Sequence, residues 1–357
     1  MSDLTLEDIA KRVGVSRSTV SRAINNQPDV NPKTRARVLA AVQRHDYQPN
    51  AVARGLAAGR MRILGLVFPM GVPALFTDPY FPILIHGVLS ACNAHDRSVM
   101  LWLTEPECER RTIRQILQRG LLDGVIVASM LMDDPIIAAL QARGFPFVVI
   151  GRHPTDTRIS YVDVDNQNSA REMVAYLLRL GYRRIATITA SRNMIAGADR
   201  LEGYLAALGA CGIGSEAGLI AEGDFSEAGG YAAMQRLLPY VPDAVFAASD
   251  TMAVGALRAL REAGKRVPED VALAGFDDMP FAARTEPPLT TVSQPIQRLG
   301  AVAVETLVDL IANPNSPPRR TILPTELVLR ASSGLGALGE KTGAEQAPSK
   351  QGGDDKS

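Results

Sequence analysis

The stretch Thr5–Asn25 reads TLEDIAKRVGVSRSTVSRAIN and decides the fold of the N-terminal part of the chain. Its first half has the apolar spacing of one helix face, with apolar side chains at Leu6, Ile9, Ala10 and Val13. Thr5, followed three positions later by Asp8, is a capping-box signature at the start of this helix. Gly14 permits a tight turn, and Ser16 can cap a second helix that runs to the end of the stretch. The stretch therefore predicts a helix-turn-helix.

A third helix is predicted over Pro32–Arg44, with Val38, Leu39 and Val42 packed against the first two helices. The outward side chains of the second helix are basic, hydroxyl or amide groups, namely Arg17, Ser18, Ser21, Arg22 and Asn25. Such a face suits phosphates and base edges, because a helix-turn-helix places its second helix in the major groove. A small three-helix bundle with a merely solvated polar face is the alternative.

Charge is divided unevenly along the chain. The totals balance, with 38 Lys and Arg against 38 Asp and Glu. Residues 1–60 contain ten basic and five acidic residues, a net charge of +5, so subtraction leaves 28 basic and 33 acidic residues, a net charge of −5, for residues 61–357. A basic small unit on an acidic large one indicates that only the N-terminal part contacts a polyanion.

The first sixty residues resemble the DNA-binding domain of the lactose-repressor (LacI/GalR) family. The similarity is carried by residues 5–10 (TLEDIA), 14–16 (GVS), 19–22 (TVSR), 34–35 (TR), 47–50 (YQPN) and 53–57 (ARGLA). It implies that Arg17, Ser18 and Arg22 read bases in the major groove. It also implies a group that holds phosphates or fixes register: Thr5, Leu6, Ser16, Thr19, Ser21, Asn25, Asn31 and Thr34. The DNA-binding set is completed by Tyr47, Asn50, Ala53 and Leu56.

Residues 49–61 are expected to form a hinge helix and linker after a DNA-binding domain over residues 1–48. A helix of this length is shorter than the roughly 12–15 residues needed for stability in isolation, and Gly55 weakens it further. The family resemblance implies that the two hinges of a dimer fold together on DNA and insert Leu56 into the minor groove as an apolar wedge. A flexible tether is the alternative.

Residues 62–331 alternate short apolar runs with helical stretches that end in glycine. The runs predict seven strands, at about 63–68, 98–103, 124–129, 147–151, 184–190, 244–249 and 271–277. Continuous apolar strands between such helices are typical of parallel sheets in βα units. A segment of about 270 residues is longer than a single hydrophobic core usually supports, so we expect two α/β lobes. A ligand of such sheets binds beyond the carboxyl ends of the strands, here in the cleft between the lobes.

The candidates for that cleft are residues near the predicted strand ends: Asp78, Tyr80, Ser129, Arg152, Asp199, Arg200, Phe225, Ser249, Asp250, Asp277, Asp278 and Gln294. An arginine with several carboxylates and an aromatic ring suits a polyol such as a sugar. The structural alternatives are helix-capping roles for Asp250 and Asp278 and a core position for Phe225. Asp163 and Asp165 are expected to be structural.

The family resemblance extends to about residue 331, and the family core is similar to a periplasmic sugar-binding protein with three crossovers between its lobes. It implies lobe one at about 62–163 and 295–323, and lobe two at about 164–294 and 324–331. Arg200, in the segment DRLEGY over 199–204, matches the arginine that grips the effector. Ser249 stands where the family has asparagine.

Several classes of protein are disfavoured by what the sequence lacks. No run approaches the roughly 18 apolar residues of a membrane span, and the acidic N-terminus is unlike a signal peptide, so we expect a cytoplasmic protein. Three dispersed cysteines and four dispersed histidines match no disulfide or metal pattern, and no catalytic or nucleotide-binding motif occurs. We expect no enzyme activity, no catalytic residue, no metal and no cofactor. The tail over 332–357 is predicted to be disordered, and its lack of leucine heptads favours a dimer.

The sequence thus predicts an α/β protein: an N-terminal all-α helix-turn-helix domain followed by a two-lobed, periplasmic-binding-protein-like core of parallel sheets. The predicted function is that of a homodimeric repressor that binds palindromic double-stranded operator DNA under the control of a sugar effector. A purine or nucleoside corepressor is an alternative, although Phe225 and Tyr80 supply few rings to sandwich a base. A sugar-binding or sugar-modifying protein without DNA function is a second alternative, which the helix-turn-helix argues against.

Overall fold

A computed structural model describes residues 4–47, 61–103, 109–118, 121–128, 131–132, 134–153, 155–191 and 193–334. The chain divides into two compact units, Met1–Arg62 and Ile63–Ser357. Most of the predicted hinge lies outside the described residues, and so do residues 335–357 of the predicted tail.

The N-terminal unit consists of the helices α1 (Leu6–Val13), α2 (Arg17–Ile24) and α3 (Pro32–Arg44). The predicted capping box is present: the Asp8 amide donates to the Thr5 hydroxyl, and the Thr5 amide donates to the Asp8 carboxylate. Gly14 ends α1 with a left-handed φ of 71°, and the Ser16 hydroxyl caps α2. The predicted helix-turn-helix is confirmed.

One residue of α3 differs from the expectation. Leu39 was expected to pack inward but is 42% exposed. Val38 is fully buried, and Ala41 and Val42 pack against the same core. Positions 38, 41 and 42 share one helix face, whereas position 39 is turned away from it by the helical period. The inward face of α3 therefore contains Val38, Ala41 and Val42 but not Leu39.

The first lobe of the second unit is built on a six-stranded sheet with strand order β11-β5-β4-β3-β1-β2. All of its neighbouring strands are parallel. The strands are β1 (Ile63–Phe68), β2 (Ser98–Leu103), β3 (Gly124–Val127), β4 (Phe147–Ile150), β5 (Tyr161–Val164) and β11 (Arg320–Leu323). The helices of this lobe are α4 (Val72–Thr77), α5 (Tyr80–Ala94), α6 (Glu109–Ile116), α7 (Pro135–Ala142) and α12 (Ile296–Ala312).

The second lobe contains a four-stranded parallel sheet with strand order β7-β6-β8-β9 and a separate antiparallel pair of β10 and β12. The strands are β6 (Ile185–Thr189), β7 (Ile220–Glu222), β8 (Ala244–Ala247), β9 (Ala272–Ala274), β10 (Thr291–Ser293) and β12 (Glu326–Val328). The helices are α8 (Asn166–Arg179), α9 (Ile195–Ala210), α10 (Glu227–Leu237) and α11 (Asp250–Glu262). The chain passes between the lobes after β5, after β10 and after β11, so the parallel-sheet, two-lobed fold class is confirmed.

Five strands of the described residues were not expected from apolar runs: β5, β7, β10, β11 and β12. β5 carries Asp163 in its middle, and β11 begins with Arg320 and Thr321. The other three strands have only three residues each. Tertiary pairing, rather than a continuous apolar run, makes these segments extended.

The predicted start of the disordered tail, at residue 332, is too early. Ser332 and Ser333 are buried in a 3-10 turn that packs on the second lobe. The Thr290 amide donates to the Ser332 hydroxyl at 2.8 Å, and the hydroxyls of Ser333 and Tyr176 lie 3.2 Å apart. These hydrogen bonds fix two serines that polar composition alone assigned to the tail. In the part of the chain that is described, no helix has both the length and the apolar character of a membrane crossing.

A close helix–helix contact stabilises the first lobe. A Cβ built on Gly87 of α5 would lie 2.0 Å from the carbonyl oxygen of Gln297 on α12. Gly300 of α12 faces the Leu84 carbonyl in the same way, at 2.6 Å. Glycine at both positions lets the two backbones approach, and each helix then covers the same side of the sheet.

We expect Gly87→Ala to lower the free energy of unfolding by about 1–3 kcal/mol, because the added methyl group forces α5 and α12 apart. Gly209→Ala is the matched control, since a Cβ at that helical position meets nothing within 4 Å. The control should stabilise by about 0.5–1 kcal/mol, the usual gain of alanine over glycine in a helix. Urea unfolding followed by circular dichroism measures both, and equal behaviour of the two variants would contradict the close-contact explanation.

Candidate functional site

The start of α2 presents a cluster of hydroxyl groups. The Ser16 hydroxyl accepts from the Thr19 amide at 3.1 Å and lies 2.8 Å from the hydroxyls of both Ser18 and Thr19. Ser16 and Ser18 are exposed. A helix N-terminus with exposed hydroxyls is suited to hydrogen-bonding an anion such as a phosphate.

Two arginines of α2 form ion pairs on the surface, and Arg22 Nε also donates to the Ser18 carbonyl at 3.4 Å. Arg17 is 68% exposed and lies 3.7 Å from Glu7, and Arg22 is 48% exposed and lies 2.7 Å from Asp29. Exposed ion pairs of this kind contribute about 0–1 kcal/mol, so either guanidinium can exchange its carboxylate for another acceptor. The planar guanidinium matches the two acceptors on the major-groove edge of guanine.

The other predicted DNA-binding residues occupy several environments. Thr5 caps α1 and Asn31 caps α3, and the side-chain Nδ2 of Asn25 donates to the Ser21 hydroxyl at 3.5 Å. Leu6 and Thr34 are partly buried. Tyr47 is only 8% exposed and belongs to the hydrophobic core of the bundle, which corrects its expected place on the DNA-binding surface. Asn50, Ala53 and Leu56 lie outside the described residues.

A cavity of about 80 Å³, called the inner cavity below, lies among the carboxyl ends of strands from both lobes. Six of the predicted residues line it: Asp78, Tyr80, Arg200, Phe225, Asp277 and Gln294. Asp78 and Tyr80 come from the first lobe at the start of α5, and Arg200 projects from α9 of the second lobe. Gln294 follows β10, where the chain returns to the first lobe.

Arg200 is the main cation of the inner cavity, and its side chain is 5% exposed. Its Nε donates to Asn166 Oδ1 at 2.9 Å, and its Nη1 donates to Asp277 Oδ1 at 3.3 Å and to the Ala248 carbonyl. Its Cζ lies 3.6 Å from the ring centroid of Phe276. The guanidinium is therefore held by hydrogen bonds at Nε and Nη1 and by contact with the Phe276 ring.

Asp277 is the principal carboxylate opposite Arg200. Its Oδ1 accepts from Gln294 Nε2 at 2.6 Å, while its Oδ2 receives no hydrogen bond from the described residues. Its φ of 117° is unusual for a residue with a side chain, and such strain is characteristic of functional positions. Burial raises the pKa of Asp277 to about 7, although the positive charge of Arg200 acts in the opposite direction.

Asp163 also lines the inner cavity, which corrects its expected purely structural role. Its carboxylate accepts from the Arg152 amide at 2.7 Å, the Val164 amide at 2.8 Å and the Asn166 side chain at 3.1 Å. Burial raises its pKa to about 6. Burial likewise raises the pKa values of Asp78 and Tyr80. The inner cavity therefore favours neutral carboxyl groups or partners that donate hydrogen bonds to them.

Arg152 and Asp199 do not line the inner cavity, contrary to the sequence expectation. They bind each other instead: Arg152 Nε donates to Asp199 Oδ2 at 2.6 Å, and Arg152 Nη2 donates to Oδ1. Arg152 follows β4 of the first lobe and Asp199 lies on α9 of the second lobe, so this bidentate pair joins the lobes. Hydrogen bonding to Asp199 raises the pKa of Arg152.

Three further candidates have structural roles. The Ser249 hydroxyl caps α11 by accepting from the Met252 amide. Asp250 is fully buried and accepts from the Thr291 hydroxyl at 2.6 Å and from the Met279 amide at 2.8 Å. Asp278 pairs with Arg330 at 2.7 Å. None of the three lines the inner cavity, and Ser129 lies outside the described residues.

The remaining lining residues were missed because most are apolar and carry no strand-end signal: Phe81, Leu84, Ala128, Ile150, Gly151, Asn166, Met194, Ile195 and Ala196. Asn166 was the one that could have been found, since it follows β5 directly. Because β5 carries Asp163 in its middle, no continuous apolar run predicts that strand or its end. Among the described residues, no group of three or more His, Cys, Asp or Glu side chains is arranged to hold a metal ion.

A helix-turn-helix unit joined to a two-lobed core with a cavity between the lobes defines a class of ligand-responsive DNA-binding regulators, and the comparisons with known proteins identify the family. Residues 5–50 match the model for bacterial regulatory proteins of the lacI family, and residues 174–333 match the model for a periplasmic binding protein-like domain. The chain belongs to the LacI family of DNA-binding transcriptional regulators, which confirms the predicted family and the prediction that it is not an enzyme.

Relatives of known identity are similar over nearly the whole chain. The HTH-type transcriptional regulator CelR of Thermobifida fusca is 40% identical over 332 residues, which cover 92% of this chain and 98% of CelR. A solved CelR–cellobiose complex aligns with a TM-score of 0.74 and 38% identity, over 92% of this chain and 99% of that one. The lac repressor dimer bound to operator and the anti-inducer ONPF aligns with a TM-score of 0.82 and 29% identity, over 93% and 99%.

The raised pKa of Asp277 predicts a pH-dependent contribution to stability. An unfolded aspartate titrates near pH 3.9, so the folded protein binds this proton more tightly than the unfolded chain. The contribution is complete below about pH 4 and is lost as the pH rises through about 7. Relative to Asp277→Asn, the wild-type protein should therefore lose unfolding free energy between pH 5 and pH 8, at no more than about 1.4 kcal/mol per pH unit.

Urea unfolding at a series of pH values measures this difference. Asp309→Asn is the control, because Asp309 pairs with Arg319 on the surface and its side chain is half exposed. A difference between wild type and Asp277→Asn that does not vary with pH would show that Asp277 is already ionised in the folded protein.

Proposed function

We propose that this regulator is a cytoplasmic homodimeric repressor that binds a palindromic operator and responds to a sugar bound in the inner cavity. One observation carries the effector assignment: Asp277 Oδ2, without a partner among the described residues, and the buried Arg200 face the same small cavity. A sugar hydroxyl can donate to this carboxylate and accept from the guanidinium, which hydrocarbon ligands cannot do.

Aromatic and apolar groups complement these polar groups. Phe225 and Tyr80 line the inner cavity, and their rings can lie against the C–H face of a pyranose. Asp163 and Gln294 add further acceptors and donors for hydroxyls. The similarity to CelR, whose solved complex contains cellobiose, supports a sugar rather than a purine.

For DNA, the proposal assigns base reading to Arg17, Ser18 and Arg22, and phosphate contacts to the hydroxyl and amide groups of the caps and of α2. The exposure of both arginines and the weakness of their ion pairs support this assignment. A two-fold dimer supplies two such helices and so requires a palindromic site. The similar lac repressor structure is a dimer on its operator, which supports the same arrangement here. The wedge role of Leu56 in the hinge remains part of the proposal.

We expect Arg17→Ala or Arg22→Ala to cost about 1–3 kcal/mol of binding at the cognate operator and to relax preference at one base position, because a bidentate base contact is lost. Fluorescence anisotropy with cognate and scrambled duplexes measures this. Arg44→Ala, an exposed arginine at the end of α3, is the control and should lose little on either duplex. An equal loss on both duplexes for Arg17→Ala and Arg22→Ala would make them phosphate contacts instead.

At pH 8, above the raised pKa of Asp277, we expect Asp277→Asn to weaken sugar binding by about tenfold or more and to remove the sugar's influence on operator binding, because a charged acceptor becomes a neutral amide. Operator affinity without sugar should stay within about twofold, because Asp277 belongs to the second unit and is not among the residues proposed to contact DNA. Calorimetry against sugars and purines, with Asp309→Asn as the control, tests this. Unchanged sugar affinity would remove Asp277 from the site, and binding of purines alone would overturn the sugar assignment.

A further inference from the structure

Two contacts join the lobes beside the inner cavity. One is the bidentate ion pair of Arg152 and Asp199, and the other is an isolated antiparallel bridge between Leu131, which follows β3, and Met194, which precedes α9. We propose that these two contacts, together called the latch, hold the lobes close in the sugar-free protein and must break before a sugar binds, so that a weaker latch gives a higher sugar affinity. This inference rests on the proposed sugar-binding function of the inner cavity.

The latch borders the inner cavity in both lobes. In the first lobe, Ile150 and Gly151 line the cavity, and Arg152 is the next residue. In the second lobe, Met194 and Ile195 line it, and Met194 is itself part of the latch. Because the same short segments form the cavity walls and the latch, moving these walls apart stretches the latch.

The size of the inner cavity requires such a movement. Its volume is about 80 Å³, whereas ligand sites usually offer about 300–1,000 Å³. Its lining residues come from both lobes, so separation of the lobes enlarges it directly. A sugar that contacts both Arg200 and Asp277 therefore fits an arrangement in which the lobes lie further apart than they do here.

The ion pair of the latch can open without leaving a buried charge. The side chain of Asp199 is 6% exposed and that of Arg152 is 34% exposed, and the two meet across the boundary between the lobes. Separation of the lobes returns both ions to water, which offsets most of the lost attraction. The two parallel hydrogen bonds of the pair also need one particular orientation of the lobes, so a small rotation is enough to break them.

The backbone contact opposes the same movement. The Met132 amide donates to the Asn193 carbonyl at 2.9 Å, next to the bridge between Leu131 and Met194. Backbone groups have no side-chain rotamers that could follow a moving partner, so this contact is lost when the lobes separate. Neither contact of the latch belongs to a crossover between the lobes, so the latch can break while the chain connections stay intact.

The first test weakens the latch. Asp199→Asn removes one charge of the ion pair and keeps the size of the side chain. Because only the unlatched fraction of the protein binds sugar, a larger fraction raises the measured affinity, and we expect the variant to bind about threefold to tenfold more tightly than the wild type. Calorimetry on the full-length protein with glucose, galactose, ribose and cellobiose measures this, with the sugar that the wild type binds most tightly.

The matched control is Asp309→Asn. It breaks a pair of Asp309 with Arg319 at 2.6 Å, but both of these residues belong to the first lobe. The same chemical change therefore leaves the contact between the lobes intact, and the sugar affinity of this control should equal that of the wild type.

The second test locks the latch with a disulfide. Residues opposite each other in an antiparallel pair have Cα atoms about 4.5–5.5 Å apart, within the range of about 4.4–6.8 Å that a disulfide spans. Leu131→Cys combined with Met194→Cys should lose sugar affinity by about tenfold or more on oxidation and regain it on reduction. The reduced form is the reference for the oxidised form, so any lost contact of Met194 with the sugar cancels. Leu131→Cys alone controls for oxidation of the native cysteines and should not respond.

The sign of each result decides between a latch and a clamp that closes on the sugar. A clamp makes Asp199→Asn bind less tightly and lets the oxidised double variant bind at least as well as the reduced one. Either result, or an unchanged affinity in either test, overturns this inference and leaves the proposed function in place. The cross-link replaces no ionisable residue, so it tests the latch even where Asp199→Asn does not fold. Failure of all four sugars to bind the wild type overturns the proposed function, and this inference with it.

Discussion

The buried guanidinium of Arg200 is the constraint on which the arrangement of the second lobe depends. A charge removed from water is strongly unfavourable unless hydrogen bonds and an opposite charge surround it. Here the compensation comes from three places in the chain: Asn166 after β5, the carbonyl of Ala248 after β8, and Asp277 after β9. The ends of these three strands must therefore stay close together around the Arg200 side chain. A buried pair of this kind adds little stability over an apolar replacement, which favours retention for ligand binding.

The N-terminal unit follows the opposite principle. Its polar face is exposed, and the two arginines proposed to read bases are paired with carboxylates from which solvent and salt can readily separate them. The stability of this unit comes instead from capping and from a small apolar core. The surface proposed to contact DNA can therefore change partners without disturbing the fold, whereas the inner cavity cannot lose Arg200 or Asp277 without leaving a buried charge unpaired.

This contrast explains what could be predicted from the sequence. The helix-turn-helix depends on contacts between neighbours in the sequence, such as the Thr5–Asp8 box and the turn at Gly14, so local patterns were enough. Asp277 was found because polar residues at strand ends converge in parallel sheets, whereas Arg200, which lies inside α9, was assigned its role by the family resemblance of the segment DRLEGY. The pairing of Arg152 with Asp199 could not be found in this way, because strand-end position indicates where a side chain lies but not which of several charges it will bind.

Asp199 and Arg200 are neighbours on α9, yet they serve different parts of the molecule. Successive helix residues point about 100° apart, so one helix can present Arg200 to the inner cavity and Asp199 to Arg152 of the other lobe. Glycine at position 197 lets this end of α9 approach Ala190, where a Cβ would lie 2.7 Å from the Ala190 side chain. The ligand proposed to bind at Arg200 and Asp277 would therefore contact a tightly packed helix that also carries the ion pair between the lobes. Because packed elements of this kind shift as units rather than deform, the contact with the ligand and the contact between the lobes are mechanically linked through a single turn of α9.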